Sequence, residues 1–216
     1  QDMREWQRSR TGRITSPYVE AGAFFRSRPD VEVPDLQLVF VVAIVDDHAR
    51  RLHRGHGFSC HVDLLRPQSR GTVDIASPDT RDAPVIDPRF LSHPDDIQVL
   101  REGVKAQMRI LQASPFDAYR GEMLYPVPLD DDAAIEADIR RRADTQYHPA
   151  GTCRMGPAAD RMAVVDECLR VRGVGGLRVV DASIMPTLVG GNTNAPTIMV
   201  AEKAADLIRA GHGAAA

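Results

Sequence analysis

The sequence predicts an α+β fold: an antiparallel sheet with flanking helices, then a strand–loop–helix segment at the C-terminal end. Three observations carry this. Apolar runs of strand length follow one another at 36–45, 58–65 and 72–76 with short or modest links, which favours antiparallel pairing. Two stretches with helical periodicity and end signals come next, starting near Ser92 and near Asp131. Last, a short apolar run containing Leu177, Val179 and Val180 is entered through Gly175-Gly176 and leads through a polar loop into a long amphipathic stretch. At 216 residues the chain is long enough for a good core and one or two small domains. The formal charge is -3 with Lys and Arg scattered among acids, so no nucleic-acid footprint is present. No apolar stretch approaches the roughly 20 residues that span a bilayer. The three cysteines show no C-x-x-C spacing. That argues against a disulfide framework or zinc site and fits a reducing, cytoplasmic location. No signal peptide is visible, and the start at Gln1 leaves the true beginning of the chain open.

The elements follow in order. Residues 1–35 read as loop-rich with a helical start around Trp6, broken at Thr11-Gly12, and Tyr18–Phe25 as an aromatic, small-residue segment suited to lining a cavity or to packing. Leu36–Val45 is continuously apolar, as in a strand buried on both faces. The polar connection 46–57 holds His48, His53 and His56; no organised Cys or carboxylate partner accompanies the last two, so no metal site is expected. Phe58–Leu65 alternates, giving a strand with one polar face, and Thr72–Ala76 is a third strand after the turn at Ser69-Arg70-Gly71. Pro84–Leu91 reads as an extended connector. The first long helix begins near Ser92, with Pro94 in its first turn and Asp95 completing an S-x-x-D capping signature. Its stripe is Ile97, Leu100, Val104, Met108 and Leu111, and Ser114-Pro115 ends it. The next helix, Asp131–Arg142, has acids at its start and arginines at its end, matching the macrodipole, so its charges read as a solvated helix end. The tail after Ala210 reads as frayed.

Two C-terminal blocks carry the chemistry. In the second, Asp181 ends the Leu177–Val180 strand, and ligands collect at strand C-termini in open α/β sheets. Asn194 reads as an N-cap and Pro196 as a first-turn residue. The apolar face of the helix is assigned to Ile198, Met199, Ala201, Ala205 and Ile208. Such a helix start stabilises an anion placed before it. In the first block, Tyr147–Gly156 (YHPAGTCRMG), His148 lies between Tyr147 and Pro149, which holds it in extended backbone. A lone histidine is more often structural, but its surroundings here change that reading.

The two blocks, with the run VVDECLRVRGVGGLRVVDAS between them and FSCHVDLLRPQSRGTVDIAS upstream, resemble the glucose–methanol–choline oxidoreductases, FAD-dependent alcohol oxidases and dehydrogenases. The resemblance implies that His148 is the active-site histidine and that Asn194 occupies its partner position. It places Asp181 and Ala182 beside the ribityl and phosphate region of FAD, and Asn192, Thr193, Pro196 and Thr197 beside its ring. It implies that residues 1–145 form a substrate-binding domain and that 146–216 complete an α/β FAD-binding domain. Gln146, Tyr147 and His61, with Phe24 and Phe25, are weaker substrate-side candidates. The family's G-x-G-x-x-G fingerprint is absent from this sequence. An N-terminal FAD-binding polypeptide, from a split or cleaved chain, is therefore an expected partner beside the alcohol substrate. The alternative is an inert fragment or subunit that acts only by binding a partner chain. A lyase that keeps flavin without redox turnover is a further family reading that no residue favours.

Overall fold

The apolar run beginning at Leu36 is the central strand of a three-stranded antiparallel sheet. In the computed structural model, which describes residues 2–213, β1 (Val19–Phe25), β2 (Leu36–Val41) and β3 (Ser59–Leu64) pair in that order. Leu36 faces Phe25 on one side and Leu64 on the other, and Val39 lies between Gly22 and His61. β2 is buried on both faces, as its composition predicts, and even Gln37 is buried. It ends at Val41 rather than Val45, because the chain turns out and exposes Val42. β1 was not expected as a strand. It is an exposed edge strand, so no apolar alternation marks it. The predicted one-sided polarity of β3 is also absent, since all its residues are half-buried.

The third expected strand does not join this sheet. Thr72–Asp74 (β4) pairs with Val85–Asp87 (β5), inside the supposed connector, in a separate two-stranded ribbon. The short links between runs pointed to neighbours, but the chain leaves the first sheet after Leu64.

The chain divides into two compact units. Residues up to Leu64 group with Ile97–Arg142, and Leu65–Asp96 group with residues from Ala143 onward. In the first unit, α1 (Asp2–Ser9) ends before Gly12, whose φ of +93° glycine alone adopts readily. α2 (Pro94–Leu111) meets β2 and β3 at Gly103 and at Gln107, whose Nε2 donates to Cys60 O. Gly103 makes that approach possible: a Cβ there would lie 2.6 Å from Val62 and 3.1 Å from Leu36. Ile97 and Met108 of the predicted stripe are buried. The helix start is capped by His93, whose Nδ1 accepts from Asp95 N–H at 3.3 Å, where Ser92 was expected. α3 (Asp132–Arg142) starts one residue later than expected and is capped by Asp131, which accepts from Ala134 N–H, while Asp132 pairs with Lys105 of α2 at 2.7 Å. Its arginines are not simply solvated: Arg141 and Arg142 both bond the buried Asp138.

The second unit packs around Val165, Leu169, Ile184, Val200 and Ala204, with Met155, Val164, Val179 and Val180 against them. Turns and isolated bridges, not strands, build the part of it around this core. The expected strand around Leu177–Val180 makes a single bridge, Arg178 to Arg170, and Leu177 is exposed. The Gly-rich turn before it and the short turn Ala182–Ile184 after it leave too few pairing residues to extend it. Asp166 closes one turn by accepting from Cys168 and Arg170 N–H; the Arg170 bond first holds its carboxyl below the usual range. α4 (Asn194–Gly213) buries Val200 and Ala204, while Ile198 and Met199 are exposed, so the helix is phased differently from the predicted face. It runs through Gly211–Gly213 where fraying was expected; the last three alanines of the tail lie outside the described residues. Among the described residues no helix is long and apolar enough to cross a membrane.

Candidate active site

His148 enters a small cage of backbone and loop. The residue before it, Tyr147, has φ +65°, a strained conformation for a bulky side chain, and is exposed. After it, the 153–155 segment is fixed by Cys153 N–H to Ser183 O at 3.0 Å and Met155 N–H to Ile184 O at 2.7 Å. Asp181 caps the following short turn, Ala182–Ile184, by accepting from Ser183 N–H at 2.7 Å. The chain then passes through loop 186–193 into α4. Thr193 is the N-cap of that helix: its carbonyl accepts from Thr197 N–H at 3.0 Å and from Thr197 Oγ1 at 2.7 Å. The cap therefore falls one residue before Asn194.

This route brings Asn192 and Thr193 onto opposite sides of the half-buried imidazole. Asn192 Nδ2 lies 2.9 Å from His148 Nε2, and Thr193 Oγ1 lies 2.9 Å from Nδ1. An amide NH2 only donates, so Nε2 accepts. The neutral ring then carries its proton on Nδ1 and donates it to Thr193. The arrangement fixes the ring plane and tautomer and turns the basic nitrogen toward an exposed amide, as a proton acceptor for a polar substrate needs.

Of the residues singled out from the sequence, His148, Asn192 and Thr193 come together. Asn194 does not take the place beside the ring; it is exposed in the first turn of α4, and Asn192 holds Nε2. Asp181 is exposed and used as a cap, Ala182 and Pro196 are half-buried, and Thr197 braces the helix start. Gln146 is half-buried immediately before Tyr147. His61 belongs to β3 of the other unit. By strand register it shares a sheet face with Asp63, Gln37 and Phe24, while Phe25 lies on the opposite face.

That face has its own electrostatics. Burial pushes the His61 imidazole toward its neutral form, and Arg142 and His48 reinforce the shift. Burial pushes the Asp63 carboxyl up to about 6, and its Oδ2 is buried with no hydrogen-bond partner among the described residues. Next to them, burial raises the Cys60 thiol to about 11, which keeps it unreactive at neutral pH. Nearby, Asp46 accepts from Tyr125 Oη at 2.5 Å and from His53 Nε2 at 2.6 Å, and Arg51 donates to Tyr125 Oη at 3.0 Å. These bonds, Tyr125 first, hold the Asp46 carboxyl below its usual range. His53 is thereby engaged, and no group of three or more metal-ligating side chains occurs among the described residues. Sequence reading missed Tyr125 because nothing local marks a partner so distant in the chain.

The family model for GMC oxidoreductases matches residues 67–201, which contain His148, Asn192 and Thr193. The chain is 46% identical over 200 residues to the alcohol dehydrogenase (acceptor) of Pseudomonas putida, covering 92% of this chain and 36% of that protein. It is 44% identical to the mitochondrial choline dehydrogenase of Mus musculus, covering 97% of this chain and 35% of that protein. The chain thus spans about a third of the length of the curated relatives it matches. Among solved structures, pyridoxine 4-oxidase from Mesorbium loti superposes with a TM-score of 0.79 at 32% identity, over 88% of this chain and 37% of that one. A formate oxidase of Aspergillus oryzae RIB40, studied for FAD modification, superposes with a TM-score of 0.86 at 26% identity, over 98% and 41%. FAD is the cofactor of this family, and the residues here fit it in one respect: α4 opens at exposed Asn194 and Ala195, where the first N–H groups have no intrahelical partners, beside exposed Ile198 and Met199. With the family model covering more than half of the chain, this protein belongs to the GMC oxidoreductase family and carries its C-terminal part.

Proposed function

We propose that this chain is the C-terminal part of an FAD-dependent alcohol oxidoreductase in which His148 takes the proton of the substrate hydroxyl. The observation that supports this best is the double restraint of the imidazole, Asn192 at Nε2 and Thr193 at Nδ1, within the family's matched region. In this reading a primary or secondary alcohol places its hydroxyl at Nε2 and displaces the Asn192 amide. The amide then donates to the substrate oxygen and stabilises it as its proton moves to Nε2. Thr193 keeps Nδ1–H oriented, so the ring offers the same nitrogen in every cycle. FAD, when bound, supplies the acceptor for the hydride. The first turn of α4, from Asn194 to Thr197, and the segment at Asp181 and Ala182 would hold it, with the positive helix end favouring negative charge there. Residues 1–145 serve substrate binding and 146–216 the FAD side; within the first stretch, Leu65–Asp96 packs with the second. The missing nucleotide fingerprint would come from an N-terminal polypeptide, and the free cysteines suit a cytoplasmic setting.

One side chain acting as acid or base contributes about 10²–10⁴ in rate. His148→Ala in the complete, FAD-loaded enzyme is therefore expected to slow alcohol turnover at least about a hundredfold. A rate within a few-fold of wild type would remove His148 from the chemistry. The chain alone is expected not to retain FAD; stoichiometric yellow cofactor after gel filtration of the isolated chain would overturn the need for a partner polypeptide.

A further inference from the structure

We infer that Arg66 is a positioning residue for the His148 site, strapping down the loop that supplies both partners of the imidazole. The inference rests on the reading of His148 as the base. Asn192 and Thr193 reach the ring from loop 186–193. Within that loop Gly191 N–H bonds Val189 O at 2.8 Å, which closes a tight turn but ties the loop to nothing else. The tie comes from outside. A Cβ added at Gly190 would lie 2.5 Å from Arg66 Nη2 and 3.0 Å from its Cζ. The guanidinium therefore rests directly on the Gly190 backbone. Gly190 is not among the residues with positive φ, so its missing side chain is needed for space rather than for backbone conformation.

The far end of the strap is well anchored. Leu65, next to Arg66, is buried. Two residues on, the buried Asp96 accepts from Gln68 N–H at 2.7 Å, Ser69 N–H at 2.9 Å and Ser69 Oγ at 2.5 Å, while Ser69 Oγ accepts from His93 N–H at 3.0 Å. A bracket of this kind fixes the Arg66 backbone, and a flat guanidinium then covers the loop two residues before Asn192. Arginine suits the task because its planar head packs on a peptide face, whereas lysine offers a compact charge on a flexible stem. Small displacements matter at such a place, since a misplacement of about 1 Å can cost 10²-fold in rate.

The test uses the complete FAD-loaded enzyme and two readouts. One is the rate at which diethyl pyrocarbonate modifies His148, followed by peptide mass spectrometry, which reports how well the loop shields the ring and needs no turnover. The other is kcat and KM for an alcohol. Arg66→Ala is expected to raise His148 modification at least about threefold, and to lower kcat about tenfold with KM and thermal stability little changed. Gly190→Ala should do the same in an intact fold, because the added methyl meets only the tip of a flexible side chain. The double variant should be no worse than either single one, since both remove one contact. Arg66→Lys should not restore shielding. Wild-type modification of His148 in Arg66→Ala, or losses that multiply in the double variant, would overturn the proposal. If His148→Ala proves active, the reading of the base fails, but the modification arm still decides whether Arg66 restrains the loop.

Discussion

The two units treat their histidines in opposite ways. The second unit holds His148 by hydrogen bonds with neutral side chains and leaves it half-buried beside an exposed amide. The first holds His61 on a strand, among Arg142 and His48, and pushes it toward neutrality by burial. The difference separates two ways of constraining an imidazole. Hydrogen bonds fix orientation and leave the basic nitrogen addressable. Burial and like charge fix the protonation state but bring costs, the clearest being the unpartnered Asp63 carboxyl on the same face.

The comparison is tested first at Asp63, where the largest effect is expected. Its folded value of about 6 lies above the usual carboxylate value of 3.8. Between those values the native state keeps a proton that the unfolded chain has lost, so stability falls as pH rises from about 4 to about 6. Below that window both states are protonated and the penalty vanishes. Asp63→Asn is expected to stabilise the protein by about 2–3 kcal/mol at pH 7 and by nothing measurable at pH 3, as followed by denaturant unfolding. Equal gains at both pH values would mean that burial does not burden this carboxyl. The next effect is smaller. A hydrogen bond to the ring is worth on the order of 1 kcal/mol, so Asn192→Ala should slow alcohol turnover about five- to tenfold. Asn194→Ala should leave the ring's restraint intact and change the rate less; the reverse order would return the partner role to Asn194. The smallest effect is expected for His61→Ala, with turnover changed by no more than about threefold against the hundredfold of His148→Ala. A crippled His61→Ala beside a nearly normal His148→Ala would move the chemistry to the sheet.

What the sequence made legible follows the strength of local signals. The α+β class, β2, the capped helix α3 and the histidine of the YHPAGTCRMG block all stand on dense local patterns. β1 escaped because an exposed edge strand containing Glu20, Ala21 and Gly22 carries no apolar alternation. The run around Leu177–Val180 looked like a strand because its residues are apolar, but pairing needs a neighbour, and only Arg178 has one. For α4, composition alone allows several faces, and contact with Val165 and Ile184 selects Val200 and Ala204. The partner of His148 is the most instructive case. Two asparagines stand two residues apart in GNTN, and only the turn at Gly190-Gly191 decides that Asn192 meets the ring while Asn194 opens the helix.

The second unit is assembled from two stretches separated in sequence by Ile97–Arg142. This has a kinetic consequence. Pairing Leu65–Asp96 with the chain after Ala143 requires closing a long intervening segment before any contact there repays the entropy lost. The first unit's β1–β2–β3 meander can form from nearby residues, but the contact of Arg66 with Gly190 joins positions 124 residues apart. Restraint of the His148 loop therefore belongs among the last events of folding. A chain arrested before that closure would show a formed sheet and an unshielded His148, so chemical protection of this one side chain during refolding times the completion of the second unit.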